Sequence, residues 1–415
     1  MLRKTLLTLA VAGGLAVPAA TAAPTVIAGE KNGAPYSIVV PEEWNGTLVV
    51  HAHGYRDLAD HPGEVDDRSA PASPNAALND ALLAQGYALA GSAYKTNGWA
   101  VDEGIEDTRA LVWRFRSEVG KPKRTLLWGF SMGSVVTFSL AESNNGLFDG
   151  YLAACAVGAG SPRAWDGAVA TSLAYKVALG WNDAWGTVGN VRDDLDFDTE
   201  VVPKMIGEVS NPANFGKFEF IRLVTGAATT GLPSPSYPSW ILTNMFFGLE
   251  ARAELERRAG GPVGQNRTHV YALSPIDKAY LAVLGVNADL LLAQMNAERT
   301  IDADRSARKY VRRFAEYDGK LKAPLLTLHT QTDSLVPPSH ESAYAATVAE
   351  AGRSALLAQT FTSGNGHCNF TGPQLLTALG ALDAWVATGT KPTAATFPAA
   401  LGFLPGFAPP AWPQQ

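Results

Sequence analysis

The sequence predicts an α/β fold: a mostly parallel central sheet flanked by helices, with a mainly helical cap inserted between strands 6 and 7. Short apolar runs alternate with amphipathic helical patterns up to about residue 160, and the same alternation resumes at residue 323. Hydrophobic residues make up 47% of the 415 residues and charged residues 17%, which is enough apolar material for a large core. No period of 20–50 residues repeats, so solenoids and propellers are excluded.

The predicted elements follow this rhythm. Before the interruption, the patterns indicate strands at 47–53, 87–93, 124–129 and 150–157, and helices at 103–119 and 133–142. After it, they indicate strands at 323–330 and 355–361, and helices at 341–351 and 373–387.

Residues 161–321 interrupt the alternation and are rich in aromatic residues. We predict that they form the cap, over the carboxyl edge of a main domain made of residues 23–160 and 322–390. The aromatic side chains either fill the core of the cap, which is the preferred interpretation for each one alone, or line an acyl or aromatic pocket; they are Trp165, Trp181, Trp185, Phe215, Phe218, Phe220, Trp240, Phe246 and Phe247. The Pro-rich tail, residues 391–415, is either an extended strap or a flexible end.

The first residues have the order of a secretory signal peptide. Arg3 and Lys4 form a cationic start, residues 6–17 are apolar but too few to span a bilayer, and residues 20–22 have the small-x-small cleavage pattern. A buried N-terminal helix is the alternative. We predict a signal peptide at residues 1–22, a secreted or periplasmic location, and no transmembrane segment, because no later run of 18 uncharged apolar residues occurs.

Charge and cysteine content exclude several classes of partner. The chain has 33 Lys and Arg against 39 Asp and Glu, with no basic block, which argues against nucleic acid as a partner. Cys155 and Cys368 are its two cysteines, and an even count in an exported chain favours a disulfide over a metal site. The acidic run 193–200 lacks the glycine turn and ligand spacing of an EF-hand calcium loop, so a solvated helix start is the preferred interpretation.

The chemistry is indicated first by Gly129-Phe130-Ser131-Met132-Gly133, a G-x-S-x-G motif. A predicted strand precedes it and a predicted helix follows. A serine on such a tight turn projects its hydroxyl above the sheet, and glycines on both sides avoid a clash with the neighbouring strand and helix. Ser131 is therefore the candidate nucleophile, with a structural turn as the alternative.

A serine nucleophile needs a base, and the base needs a carboxylate. Of the seven histidines, His367 lies in a glycine-flanked loop after the last predicted strand. Asp333 follows the strand that ends at Thr330, and the chain order Ser, Asp, His is the one used by folds of this kind. The alternatives are a surface loop histidine and an aspartate that caps the next helix.

Two backbone N–H groups are expected to bind a developing oxyanion. One belongs to Met132, directly after the nucleophile, and the other to Tyr55, after the strand that ends His51-Ala52-His53-Gly54. Hydrogen-bonded histidines beneath the site are the preferred interpretation of His51 and His53, with metal binding as the alternative. We expect no cofactor and no metal.

These residues resemble the α/β-hydrolase superfamily. The matching pieces are HAHG at 51–54, GFSMGS at 129–134, TDSLVP at 332–337 and GHC at 366–368, and the resemblance covers about residues 35–388 apart from the cap. The chain looks like secreted bacterial esterases and lipases with a large cap. Tannase-like and feruloyl-esterase-like enzymes bridge a cysteine after the histidine to one directly before the serine, where Phe130 stands here. Because that partner is missing, we expect Cys368 to pair instead with Cys155, near the end of the strand at 150–157, with two buried thiols as the alternative.

The function indicated is hydrolysis of small-molecule or polymeric carboxylic esters through an acyl-serine intermediate. A peptidase or amidase is the alternative within the fold, although Ser134 stands where prolyl-peptidase relatives usually carry glycine. A lipase acting at lipid or polymer surfaces and a non-enzymatic binding protein are further alternatives. The sequence does not determine the oligomeric state.

Overall fold

A computed structural model describes residues 23–143, 146–229 and 239–412. The predicted signal peptide, residues 1–22, lies outside the described residues. In the described part of the chain, no helix is both long enough and apolar enough to cross a bilayer.

The centre of the molecule is a twisted eight-stranded sheet. Its strands are β1 (Thr25–Lys31), β2 (Ala34–Val40), β3 (Thr47–Ala52), β4 (Ala88–Ser92), β5 (Arg124–Phe130), β6 (Gly150–Ala154), β7 (Leu325–Thr332) and β8 (Leu357–Asn365). The order across the sheet is β1-β2-β4-β3-β5-β6-β7-β8. Strand β2 is antiparallel to β1 and β4, and every other pair is parallel. This arrangement confirms the predicted α/β class with a mostly parallel central sheet.

Strands β3, β4 and β6 are buried along their whole length, as expected for parallel strands covered on both faces. One face packs against α2 (Val101–Glu118), α3 (Met132–Glu142) and α12 (Ser339–Glu350), through Phe115, Phe138 and Tyr344 among others. The other face packs against α1 (Ala76–Ala84) and α13 (Gly372–Thr388), through Leu78, Leu82, Leu379 and Trp385 among others.

The segment between β6 and β7 is mainly helical. It holds α4 (Ser161–Leu179), α5 (Val202–Val209), α6 (Phe215–Thr225), α7 (Ser239–Gly248), α8 (Glu250–Ala259), α9 (Pro275–Val283), α10 (Ala288–Ala297) and α11 (Arg305–Ala315), with a short antiparallel ribbon of Gly186–Thr187 and Asn190–Val191. It has an apolar core of its own, which includes Leu173, Trp185, Phe220, Trp240 and Met245. We call this segment the insertion.

Helix α8 joins the insertion to the main sheet domain by buried polar contacts. The Glu254 carboxylate accepts hydrogen bonds from Trp99 N at 2.8 Å and from Arg258 Nε at 2.9 Å. Arg258 in turn pairs with Glu103 of α2 at 2.8 Å. Because these charged groups are partly buried and hydrogen-bonded to one another, they fix the position of α8 on the main sheet domain.

The C-terminal tail lies along the last strand. Leu404 N donates to Phe361 O and Ser363 N donates to Gly402 O, each at 2.8 Å, and Phe397 and Phe403 are buried. Of the two sequence-based alternatives, the structure shows the extended strap, described up to residue 412.

A disulfide joins Cys155, directly after β6, to Cys368, with 5.1 Å between the Cα atoms. The bond closes a loop of 213 residues, so it restricts the unfolded chain strongly. It also holds the residue next to His367 beside the end of β6.

Replacing both cysteines with alanine should lower the free energy of unfolding by about 2–5 kcal/mol. Alanine is the suitable substitute because Cys155 is fully buried. A serine at this position would bury its hydroxyl group away from water. Urea denaturation measures the change, and the reduced wild type should show a similar loss. Equal stability of the double variant and the oxidised wild type would contradict the structural role of the bond.

Candidate active site

Ser131 occupies the turn between β5 and α3. Its backbone has φ +54° and ψ −121°, a conformation that L-residues rarely adopt. Ser131 N donates to Ala154 O of β6 at 3.1 Å, which ties the turn to the neighbouring strand. The strain is therefore held by the sheet itself, and the side chain stands at its carboxyl edge.

The two glycines of the motif are required by close packing. A Cβ at position 129 would lie 2.1 Å from Gly133 O, and one at position 133 would lie 2.1 Å from Ala52 O of β3. Both distances are far below van der Waals contact with backbone atoms that cannot move aside. Gly129 and Gly133 thus let α3 begin directly against β3 and β5.

Ser134 holds the same turn from within, a role that the sequence analysis missed. Its buried hydroxyl donates to Ser131 O at 2.5 Å and accepts from Val157 N at 2.9 Å. A small hydroxyl residue three positions after the nucleophile was the available signal.

The structure brings Ser131, His367 and Asp333 together. Ser131 Oγ lies 2.7 Å from His367 Nε2, and His367 Nδ1 lies 2.7 Å from Asp333 Oδ2. The other carboxylate oxygen of Asp333 accepts from Leu335 N at 3.0 Å and Val336 N at 2.9 Å. The serine, imidazole and carboxylate form one continuous hydrogen-bonded chain.

Asp333 is fully buried yet ionised. Burial alone would raise its pKa, but the charge and hydrogen bond of the adjacent His367 and the backbone donor Val336 outweigh this and hold the pKa of Asp333 below its usual range. His329 is itself buried, which lowers its pKa and keeps it neutral. The negative charge therefore faces His367, where it can fix the ring and stabilise an imidazolium.

The predicted oxyanion donors are the backbone N–H groups of Tyr55 and Met132. Neither backbone N–H forms a hydrogen bond with another residue of the described ranges. A Cβ at Gly54 would lie 3.3 Å from Phe130 O and 3.4 Å from Ser131 Cβ, so the chain before Tyr55 passes close to the serine. Met132 is the first residue of α3, where an N–H has no partner within the helix.

The two histidines before Tyr55 hold the loop. His53 Nδ1 lies 2.7 Å from Gly54 O, which belongs to the same peptide unit as Tyr55 N–H, and the ring stacks on Tyr94 at 3.9 Å. His51 Nδ1 lies 2.9 Å from Pro71 O. Burial lowers the pKa of His51 to about 4 and that of His53 to about 3, so both rings are neutral. His53 thereby orients the peptide that carries the second candidate donor.

A cavity of about 420 Å³ opens onto Ser131 between the sheet edge and the insertion. Its walls combine apolar and aromatic side chains with a few polar groups; they include Trp99, Val157, Trp165, Phe247, Leu335, Arg163, Asn244, His269 and Trp412. Trp165 and Phe247 line the cavity, whereas Trp185, Phe220 and Trp240 are in the core of the insertion. Some of the aromatic residues therefore line the cavity, and others fill the core of the insertion.

The acidic run 193–200 is engaged in local contacts. Asp194 and Glu200 pair with Arg192, and the Asp196 side chain accepts from Thr199 N at 3.0 Å, just before a helical turn that begins at Phe197. Within the described ranges, no three of these carboxylates converge on one point.

Comparison with known proteins gives distant similarities. No protein-family model matches the chain. An o-phthalyl amidase from Xanthobacter agilis is 24% identical over 412 residues, which cover 87% of this chain and 87% of that protein. Among solved structures, an esterase from Aspergillus oryzae is 13% identical with a TM-score of 0.41, covering 89% of this chain and 80% of that chain. The tannin acyl hydrolase from Aspergillus niger is 11% identical with a TM-score of 0.41, covering 89% and 79%.

The fold is indicated by the architecture of the chain itself. Its sheet has an antiparallel second strand followed by parallel strands in the order β4-β3-β5-β6-β7-β8. Its serine lies on a strained turn between a central strand and the next helix. On these grounds the described residues have the architecture of an α/β-hydrolase fold.

Proposed function

We propose that this chain is a serine hydrolase that cleaves carboxylic esters through an acyl-serine intermediate. The proposal rests above all on one observation: Ser131 Oγ lies 2.7 Å from His367 Nε2, whose other ring nitrogen lies 2.7 Å from Asp333. A serine hydroxyl in this setting becomes a nucleophile at neutral pH, because the imidazole accepts its proton.

In the acylation half, His367 Nε2 takes the proton from Ser131 Oγ while Oγ forms a bond to the carbonyl carbon of the ester. The carbonyl oxygen becomes an oxyanion, which accepts hydrogen bonds from Met132 N–H and Tyr55 N–H. The tetrahedral intermediate then collapses, the carbon–oxygen bond to the alcohol breaks, and the imidazolium returns its proton to the departing alcohol.

In the deacylation half, a water molecule takes the place of the alcohol. His367 removes a proton from this water as its oxygen attacks the acyl carbon. The bond to Ser131 Oγ then breaks, and the imidazolium protonates the serine, which releases the carboxylic acid and restores the enzyme. Asp333 keeps its charge throughout and stabilises the imidazolium in both halves.

The oxyanion donors and the residue that positions one of them stabilise the negative charge that develops on the carbonyl oxygen. Donors fixed before the reaction need no reorganisation when charge develops, and the loss of one typically costs about 3–4 kcal/mol of transition-state stabilisation. His53, which bonds the Gly54 carbonyl, acts as a positioning residue for Tyr55 N–H. The helix N-terminus at Met132 adds favourable potential for negative charge.

We further propose that the insertion acts as the cap of the site, with the domain boundaries predicted from the sequence. Its residues Trp165 and Phe247 line the cavity above Ser131, and an apolar wall suits the acyl or alcohol part of an ester. We also propose export of the chain, because the sequence of residues 1–22 has the order of a signal peptide and a disulfide is present.

Ser131→Ala should lower kcat for a nitrophenyl ester by about 10⁴–10⁶-fold, because it removes the nucleophile while binding and the oxyanion donors remain. A series of nitrophenyl esters of increasing acyl length, assayed on both proteins, measures this. Ser354→Ala, at an exposed position, is the matched control and should retain wild-type activity. Unchanged turnover in Ser131→Ala would end the assignment.

Asp333→Asn should lower kcat by about 10⁴-fold with little change in the unfolding midpoint. The asparagine oxygen can still accept from Leu335 N and Val336 N, so the loop stays folded. Its NH₂ group, however, would donate to His367 Nδ1 and leave Nε2 protonated, unable to accept from Ser131. Steady-state kinetics and thermal unfolding measure the two effects, and near-normal kcat would show that another acid serves the histidine.

Amide hydrolysis is the second candidate, favoured by the likeness to the o-phthalyl amidase along most of both chains. The same residues could perform it, provided that His367 protonates a leaving amine. An acyl nitroanilide and the nitrophenyl ester of the same acid separate the two. We expect the ester to be cleaved faster; a higher kcat/KM for the anilide would assign the chain to the amidases.

A further inference from the structure

A second group of polar side chains lies on the far side of the Tyr55 loop. His61 and Glu64 are in the connection between β3 and α1, and Glu250 is the first residue of α8. One possible ligand atom from each lies within 4.8 Å of the other two. The loop before α1 and the start of α8 therefore bring together three metal-binding side chains that are far apart in the chain.

Two atoms of this group are buried without a hydrogen-bond partner. Glu250 is 5% exposed; its Oε2 accepts from Phe197 N at 2.5 Å, whereas its Oε1 has no partner among the described residues. His61 Nε2 is likewise buried without a hydrogen bond, 3.9 Å from Glu250 Oε2 and 3.5 Å from Oδ1 of Asp60. An unsatisfied buried carboxylate oxygen beside an unsatisfied imidazole nitrogen is costly unless another species binds both.

The charges of the group also favour a cation. Within the described ranges, no lysine or arginine forms an ion pair with Glu64 or Glu250. The nearby Arg257 is paired with Asp60 instead. Two carboxylates held against one imidazole leave a net negative charge in a half-buried position.

We propose that His61, Glu64 and Glu250 bind a divalent metal ion, and that the ion is zinc. Zinc accepts imidazole nitrogen and carboxylate oxygen together in four-coordinate sites. Calcium and magnesium prefer oxygen ligands alone, so the imidazole favours zinc over both. A water molecule would supply the fourth ligand.

The ion would act as a structural clamp. Its ligands would join the start of α8 to the loop in which Tyr55 lies. Phe246 and Phe247 lie just before α8, and their rings contact the Tyr55 ring, with 6.0 and 5.2 Å between centroids. Because the site uses none of the residues of the proposed triad, it stands or falls independently of the proposed function. The alternative is that a proton held within the group, and not a metal ion, offsets the two carboxylates.

The test is a calorimetric titration of the tag-free, chelator-treated protein with ZnCl₂. We expect one equivalent to bind and the thermal unfolding midpoint to rise. His61→Asn and Glu64→Gln, on the loop, and Glu250→Gln should each weaken binding by at least about tenfold and abolish the rise. Asp198→Asn removes an exposed carboxylate outside the group and is the matched control, with wild-type affinity expected.

Three outcomes would overturn the proposal. They are the absence of saturable binding to the wild type, unchanged affinity in the loop variants His61→Asn and Glu64→Gln, and tighter binding of Ca²⁺ than of Zn²⁺. The loop variants keep the test decisive if Glu250→Gln, at a buried position, fails to fold.

Discussion

The strained backbone at Ser131 is the constraint on which the rest of the site depends. Ser131 keeps a positive φ because strands β3, β5 and β6 pack closely around its turn. Gly129 and Gly133 allow that closeness, and Ser134 bonds the carbonyl of the strained residue. The packing of the buried parallel sheet thus offsets the backbone strain at Ser131 and holds its hydroxyl at the cleft.

The other members of the site arrive by the geometry of a parallel sheet. The carboxyl ends of β3, β5, β7 and β8 meet at one edge, so the loops after them meet above it. The disulfide fixes the fourth of these loops, because Cys368 follows His367 directly and Cys155 follows β6. The imidazole is consequently held from both sides, by a covalent bond and by the buried charge of Asp333.

Residues of the insertion and of the tail line the cavity that opens onto Ser131. Trp165 from α4 and Trp412 from the tail line one cavity, although most of the chain separates them. Trp412 lies against His340, with 4.7 Å between ring centroids, while Ser342 donates to Pro410 O at 2.7 Å. The strap therefore contributes a wall of the cavity as well as covering the edge strand.

The sequence by itself determined the mostly parallel α/β class and predicted the serine, acid and histidine that the structure brings together, because motifs and hydrophobic periods are local. It also contains one more local signal, Asn32-Gly33, which forms the tight turn between β1 and β2 with both residues at positive φ. Only the tertiary structure decided which aromatic residues face the cavity and that His61, Glu64 and Glu250 converge. Those outcomes depend on how distant helices pack, and no local pattern records the packing.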